Sequence, residues 1–533
     1  MLPFAIDAVV GLFLFATTCT TLFQFVLLAL CWKYWRSVGR GPALAPPALS
    51  GERPFVTIQL PMFNEFAIAG RIIDAVAAFD YPHDRMEIQI LDDSIDDSPR
   101  LLRAKIAELR ESHPELRVTL LHRTDRSGFK AGALSSALPA ARGEFIAVFD
   151  ADFVPAPDFL TRTLPWFAAP DVAVVQSRWG HLNPRDSLIT RFQEFFLDCH
   201  HSVEQRGRCD AGYFLTFNGT AGVWRRKAME EVGGWNTDTL AEDLDLSFRV
   251  QVRGWRIQFL EQYPTPGELP NSILALRVQL FRWMKGNAQV GRKIFPSLVR
   301  AKLPLVVKAN ALFQVFATLS IVAGLFATIV SAVLPILIAL SPESSRLLAF
   351  SIASYTWIPF VAILYGTPRL RFDSGPLIPR VIEFVPRMIW FLIVMAGLST
   401  QGSIAVFQAL FGGRGDWVVT PKGFTAALGT ATKRTQKRLP RYMWLDVPVA
   451  LYLTFALGVA IWTGSLGLMV VMAFWLCGHL YLFGGSLWEI SGRPHAAPAS
   501  SPPLPAGVPS FEAIPALDSA VLPVDSEGIA SPL

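Results

Sequence analysis

Cysteine is scarce in this chain and follows no pattern. The five residues, Cys19, Cys31, Cys199, Cys209 and Cys477, show no framework spacing, and three of them lie in apolar runs. A disulfide scaffold is therefore excluded, and free thiols in a reducing compartment are expected. Cys199-His200-His201 with Cys209 fits no standard zinc pattern, so these residues are read as structural. Charge is also sparse. Only 17% of the 533 residues are charged against 52% hydrophobic, with a mean hydropathy of +0.37. A soluble chain of this length is less apolar, so membrane segments are expected beside one soluble domain of ordinary size. The net charge of +5 is unevenly spread, with basic clusters at 33–40 and 414–441. Beside apolar segments such clusters read as cytoplasmic flanks facing membrane lipids, and no nucleic-acid partner is expected. The chain has no internal repeat.

Residues 5–32 are apolar apart from Asp7. The run is longer than the ~7–15-residue core of a signal peptide and lacks a basic start, so it is expected to span. Lys33, Arg36 and Arg40 follow it and place the next domain in the cytoplasm. The expected organisation is an N-terminal span with its basic flank (1–40), a Pro/Gly/Ala linker (41–54) and a soluble domain (55–300). Transmembrane and interfacial helices (301–410), a cytoplasmic loop (411–445), a transmembrane hairpin (446–490) and a disordered tail (491–533) complete it. Because 411–445 is basic, an even number of crossings should separate it from the soluble domain. Three candidates lie between, at 306–340, 348–365 and 382–398. Either the first makes two crossings or one segment lies in the interface.

Within 55–300, short β-rich runs (55–60, 87–91, 118–122, 144–149) alternate with helical patterns (65–79, 100–110, 130–141). That alternation predicts an α/β domain with a mostly parallel sheet, whose ligands bind beyond the carboxyl ends of the strands. Polar residues crowd those ends. Asp150-Ala151-Asp152 follows one strand and offers two hard oxygen ligands for Mg²⁺ or Mn²⁺ on a diphosphate. Alone, such a triplet is a common loop feature; Asp92-Asp93 at the end of another strand strengthens it. Those two carboxylates can accept from a base N–H or from ribose hydroxyls. In His122–Gly132, Gly128 and Gly132 permit close backbone approach, and Lys130 is a point charge for phosphate beside a helix N-terminus. Glu242-Asp243 opens an amphipathic helix. Acids there are ordinary complements of the helix dipole, but Asp243 is also placed to act as a general base. Gln279, Arg282 and Trp283 share one helix face, with Arg282 suited to a leaving diphosphate and Trp283 to a sugar ring. The rival reading of that face is an interface helix whose Trp anchors at headgroups. Trp417, Thr420 and Lys422 sit on the basic loop, where they can close over a nucleotide. Phe217–Gly222 is by itself only a tight, flexible loop.

Taken together, the residues at 58–65 (IQLPMFNE), 89–94 (QILDDS), 122–132, 217–222, 279–283 and 417–422 resemble the processive family 2 glycosyltransferases of the cellulose synthase superfamily. Within it they look most like the cellulose synthase-like mannan and glucan synthases. The resemblance covers about 53–440. It implies a GT-A (Rossmann-like) α/β domain inserted between transmembrane helices of a multi-pass membrane protein. It implies that Asp92 and Asp93 contact the nucleotide, that Asp150 and Asp152 hold the diphosphate and the metal, and that Asp243 is the base. Gln279, Arg282 and Trp283 would line the acceptor end, and Trp417, Thr420 and Lys422 would form a gating loop; Lys130 is carried over less firmly. One departure stands out: the family's usual Thr-Glu-Asp reads Ala241-Glu242-Asp243 here. The Cys-rich zinc region and the cyclic-di-GMP barrel of some relatives are not expected.

The expected activity is inverting, metal-dependent transfer of a hexose from UDP-glucose or GDP-mannose to the non-reducing end of a β-linked polysaccharide, which then passes through the membrane. A bacterial inner membrane and a Golgi membrane both fit, and the short loops and the lack of retention signals favour the first. A lipid acceptor giving a glycolipid is the rival within the same chemistry. A transporter or scaffold with a dead nucleotide fold would lack a carboxylate or an Arg from the set, and none is missing.

Overall fold

The computed structural model describes residues 25–36, 52–331, 357–372, 375–412 and 439–491, with a few isolated positions elsewhere. Seven strands build one sheet: β1 (Val56–Met62), β2 (Met86–Asp92), β3 (Arg117–His122), β4 (Phe145–Val148), β5 (Val172–His181), β6 (Gly222–Arg225) and β7 (Arg256–Gly267). Their order is β3-β2-β1-β4-β6-β5-β7. β1 to β4 pair in parallel, as do β5 and β7, whereas β6 runs antiparallel to both neighbours. Helices α1 (Phe66–Ala77), α2 (Ser98–Ser112) and α3 (Phe129–Ala137) fill the first crossovers. Every residue of β1, β2 and β4 is buried. Strands covered on both faces must be apolar throughout, which is why these segments stand out in the sequence. The few polar residues inside are paired, with Thr57 donating to Glu87 at 2.8 Å and Gln59 to Gln89 at 3.0 Å.

The second half of the domain carries α4 (Leu188–Cys199), α5 (Glu242–Val252) and α6 (Ile273–Arg300). Then follow α7 (Leu305–Val315), α8 (Leu319–Ser331), α9 (Trp357–Phe372), α10 (Leu377–Leu410), α11 (Asp446–Trp462) and α12 (Leu466–Ile490). Among the described residues, three helices are long and apolar enough to cross a membrane: Leu377–Leu410, Arg441–Trp462 and Leu466–Ile490. The candidate at 382–398 is thus the middle of a much longer helix. The candidate at 306–340 breaks early, because α7 is bent by 62° from the helix that follows it. Ala311 and Val315 of α7 pack with Phe214, Leu244 and Phe248 of the α/β domain and with Val290 and Ile294 of α6. Its first half therefore belongs to the domain surface.

Helix α6 ties the two parts together. Arg277, fully buried, donates to Asp446 at 2.6 Å and to Gln401 at 2.9 Å. Glu489 accepts from the amides of Ile273 and Leu274 at 2.7 and 2.9 Å, so a carboxylate from α12 caps the positive end of α6. Residues 25–36 form a helix whose Leu27, Leu30 and Cys31 pack on Cys199, Val203 and Leu364. The expected span at 5–32 otherwise lies outside the described residues, as does the tail.

Arg277→Met leaves Asp446 charged and buried without its partner, and should destabilise the fold by about 3–5 kcal/mol. Thermal unfolding in detergent measures this, and a double variant that also removes the Asp446 charge should recover much of the loss.

Candidate active site

One cleft collects the strand ends. Its wall includes Glu65 after β1, Asp93 after β2, Asp150 and Asp152 after β4, His181 at the end of β5 and Glu268 after β7. β6 runs the other way, so the loop that precedes it, with Asn218 and Gly219, enters from the same edge. Glu242 and Asp243 of α5 and Gln279, Arg282 and Trp283 of α6 close the far side.

The two aspartates after β2 differ in role. Asp92 is fully buried and turned away from the cleft: its carboxylate pairs with His122 Nδ1 at 3.0 Å and accepts from the Ser94 amide at 3.0 Å. It sits opposite His122 in the β2–β3 register. Asp93 lines the cleft and takes a two-pronged contact from Arg123, at 2.8 and 2.6 Å. Arg126 stacks on Phe63 at 3.3 Å from the ring centroid and also lines the wall.

Lys130 is committed to the acidic floor. Its ammonium donates to Asp150 at 2.5 Å and to the Gly219 carbonyl at 2.9 Å. Burial works against its charge, but Asp150, Glu242 and Asp243 outweigh that and hold its pKa above the usual lysine value. The 217–222 loop supports the same carboxylate from behind, since the Asp150 amide donates to Thr220 Oγ1 at 2.9 Å. Gly219 has φ +82°, and a Cβ there would stand 3.1 Å from Asp243 Oδ2. The glycine thus allows the loop to reach Asp243.

At the start of α5 the three acids divide. Asp245 is structural, bound to Arg249 at 2.7 Å and Lys293 at 2.9 Å. Glu242 and Asp243 face the cleft, and Asp243 Oδ1 accepts from the Leu244 amide at 2.8 Å. Burial, then the neighbouring Glu242, pushes the Asp243 carboxyl up to about 7. Burial raises Glu242 as well. A carboxylate poised near neutrality is suited to accept a proton at working pH. Arg282 lies in the field of Glu242, Asp150 and Asp243, a cation among developing or fixed negative charge. Ala241 caps α5 without a side-chain hydrogen bond, because alanine has no acceptor to offer the first turn.

Among the described residues, no three His, Cys, Asp or Glu side chains converge as a metal cage. Asp150 and Asp152 supply two hard oxygens, a set that suits a divalent cation whose other positions are filled by a ligand's oxygens. Trp417, Thr420 and Lys422 lie outside the described residues. The sequence places polar residues at the strand ends 64–65 and 123–126 as well, and Glu65 and Arg126 do line this cleft. It offers the 217–222 loop only as a wall for an acceptor sugar, without the Thr220 and Gly219 contacts seen here, and it does not mark Trp179, which no motif spacing singles out.

A second cavity shares Trp179, Asn218, Asp243 and Trp283 with the first and is lined further on by Ile321, Tyr365 and Met395 of α8, α9 and α10. The cleft and the cavity among the apolar helices thus adjoin across these side chains.

Residues 54–286 match the family described as glycosyltransferase like family 2. Glucomannan 4-beta-mannosyltransferase 2 of Arabidopsis thaliana is 32% identical over 79% of this chain and 78% of its own length. The chain belongs to the family 2 glycosyltransferases. Probable glucomannan 4-beta-mannosyltransferase 7 of Oryza sativa subsp. japonica is 35% identical over 72% of the chain. Glucomannan 4-beta-mannosyltransferase 1 of the same rice is 40% identical over 51% of it. The matched part spans 64% and 53% of these two rice proteins. Among solved structures, mannosyltransferase PcManGT from Pyrobaculum calidifontis, in complex with GDP-Man and Mn²⁺, superposes with a TM-score of 0.51 at 23% identity. The match covers 75% of this chain and 99% of that one. It establishes the shared GT-A fold of this glycosyltransferase.

Two predictions follow from the geometry around Asp243. Its pKa is raised in the fold, so the proton is bound more tightly there than in the unfolded chain. The ionised form therefore costs stability that grows as pH rises towards 7. Asp243→Asn should melt at a higher temperature than wild type at pH 8, yet lower transfer by about 10²–10⁴-fold, and wild-type transfer should fall below pH ~7. Gly219→Ala should cut turnover roughly ten- to a hundred-fold by displacing Asp243, with a smaller effect on nucleotide affinity. Steady-state kinetics separates the two terms.

Proposed function

We propose that this membrane glycosyltransferase transfers mannose from GDP-mannose to the non-reducing end of a growing β-linked mannan-type polysaccharide, and feeds the product into the membrane helices. The observation that carries the reading is that the carboxylate-lined cleft adjoins the second cavity across Asp243 and Trp283. The mannosyltransferase names of relatives at 32–40% identity favour a mannosyl over a glucosyl donor.

In this reading the nucleotide lies along Asp93 and Arg126, with Asp92 holding the strand end in place through His122. Asp150 and Asp152 would hold Mg²⁺ or Mn²⁺, which when bound supplies Lewis-acid stabilisation of the departing diphosphate. Lys130 and Arg282 add fixed positive charge where the leaving group gains negative charge. The acceptor hydroxyl gives its proton to Asp243 as its oxygen bonds to the anomeric carbon. The bond from that carbon to the diphosphate breaks, its electron pair leaves with the nucleotide, and the configuration inverts. Trp283 offers an aromatic face to the acceptor's terminal ring, and Gln279 a polar contact beside it. The domain faces the cytoplasm of a bacterial inner membrane, where nucleotide sugars are made.

Purified full-chain protein in nanodiscs, given Mg²⁺ or Mn²⁺ and labelled GDP-mannose or UDP-glucose in parallel, tests this. A high-molecular-weight product from GDP-mannose, degraded by a β-mannanase, is expected. A small chloroform-soluble product would overturn the polymer, and incorporation from UDP-glucose alone would overturn the donor.

A further inference from the structure

The cavity beyond Asp243 has apolar walls that hold polar atoms without partners. At about 360 Å³ it is within the size range of ligand sites. Phe192, Phe196, Leu280 and Met284 provide much of its surface. Yet Trp179 Nε1, His201 Nε2, Arg208 Nε, Asn287 Oδ1, Gln314 Oε1 and Thr318 Oγ1 are buried without a hydrogen-bond partner among the described residues, and all six residues line it. Unsatisfied buried polar atoms are rare and costly, so their gathering in one cavity calls for a hydroxyl-bearing occupant or the water that it displaces.

His201 is the centre of the set. It is 1% exposed and sits in a π-helical stretch, His200–Gln205, that interrupts the run from α4 to the short helix after it. Such interruptions are frequent at functional sites because they re-aim side chains. Burial, then the neighbouring His200, keeps the His201 imidazole neutral. Its Nδ1 lies 3.5 Å from Asn218 Nδ2, leaving Nε2 for the cavity. Asn218 precedes Gly219, the residue that touches the base. The rings form a path: Trp283 and Trp179 are 6.4 Å apart, and Trp179 and His201 5.4 Å. His201 therefore stands two rings beyond the reacting end, opposite Asn287 of α6.

Building on the acceptor reading above, we propose that His201, with Asn218 beside it and Asn287, Gln314 and Thr318 across the cavity, forms a hydroxyl-reading subsite for the second and third sugars of the acceptor. This subsite makes transfer depend on acceptor length. The apolar walls take the ring faces of the polymer and the unpartnered atoms take its equatorial hydroxyls.

The test uses full-chain protein in nanodiscs with labelled GDP-mannose and β-1,4-linked mannose oligomers from one to six units. For wild type, the acceptor KM should fall with length and level off once the subsite is filled. His201→Phe keeps the ring and loses the hydrogen bond. Its KM for the longer acceptors should rise roughly ten-fold, flattening the length dependence, with kcat changed less. His201→Gln should restore part of the dependence, and Asn287→Leu, on another helix, should repeat the His201→Phe effect. Melting temperature and GDP affinity verify that each variant is folded. A wild-type length dependence that both His201→Phe and Asn287→Leu retain unchanged overturns this inference alone. Wild type that transfers to no oligomer of any length overturns the polysaccharide reading and this inference with it.

Discussion

Carboxylates do not gather in a buried cleft unless their repulsion is offset, and here the offset is supplied by Lys130 and Arg282. Asp150, Asp152, Glu242 and Asp243 come from one loop and one helix start and meet in one place. Lys130 bridges Asp150 to the Gly219 carbonyl, and Arg282 lies in the field of the same acids from the opposite wall. Burial first, and then the neighbouring Glu242, hold the Asp243 carboxyl up at about 7. On the proposed reading, a donor diphosphate with its cation changes that balance on binding, so Asp243 is tuned by its substrate as well as by the fold.

Helix α6 is the mechanical counterpart of this electrostatic constraint. It carries Gln279, Arg282 and Trp283 at the cleft, yet its N-terminal turn is fixed by Glu489 and its Arg277 by Asp446, both from the membrane helices. On the other face, Gly286 lies against Ala241, and an added Cβ there would sit 2.9 Å from the Ala241 Cβ. The helix that opens with Glu242-Asp243 and the helix that carries Arg282 thus touch at two small residues. The small side chain at Ala241 fits this close approach, at the loss of a side-chain cap for α5.

The family membership accounts for the cleft, and the membrane helices account for its continuation. Neither alone explains why polar atoms without partners line an apolar cavity. A polysaccharide has apolar ring faces and polar edges, and it needs both kinds of surface along one path. The same passage would serve a lipid acceptor poorly, since buried imidazole and amide groups would remain unpaired beside an acyl chain.

Much of this molecule could be read from the linear chain. Continuous apolar runs marked β1 to β4 because strands buried on both faces tolerate few polar residues, and the acidic pairs at their ends marked the cleft because parallel strands open their carboxyl ends to ligands. The i, i+3, i+4 spacing put Gln279, Arg282 and Trp283 on one face, as any straight helix must. Tertiary structure alone decided the rest. Asp92 and Asp93 look alike in sequence, but the β2–β3 register sets Asp92 opposite His122 and leaves Asp93 on the wall. Lys130 reads as a charge for phosphate in the sequence, and only the fold shows that Asp150, 20 residues away, holds it in place. β6 runs antiparallel, which delivers the Gly219 loop to Asp243, and only its pairing with β4 and β5 determines that. The apolar run after residue 305 bends at once because half of it packs on the domain, a choice between two apolar surroundings that hydropathy does not distinguish.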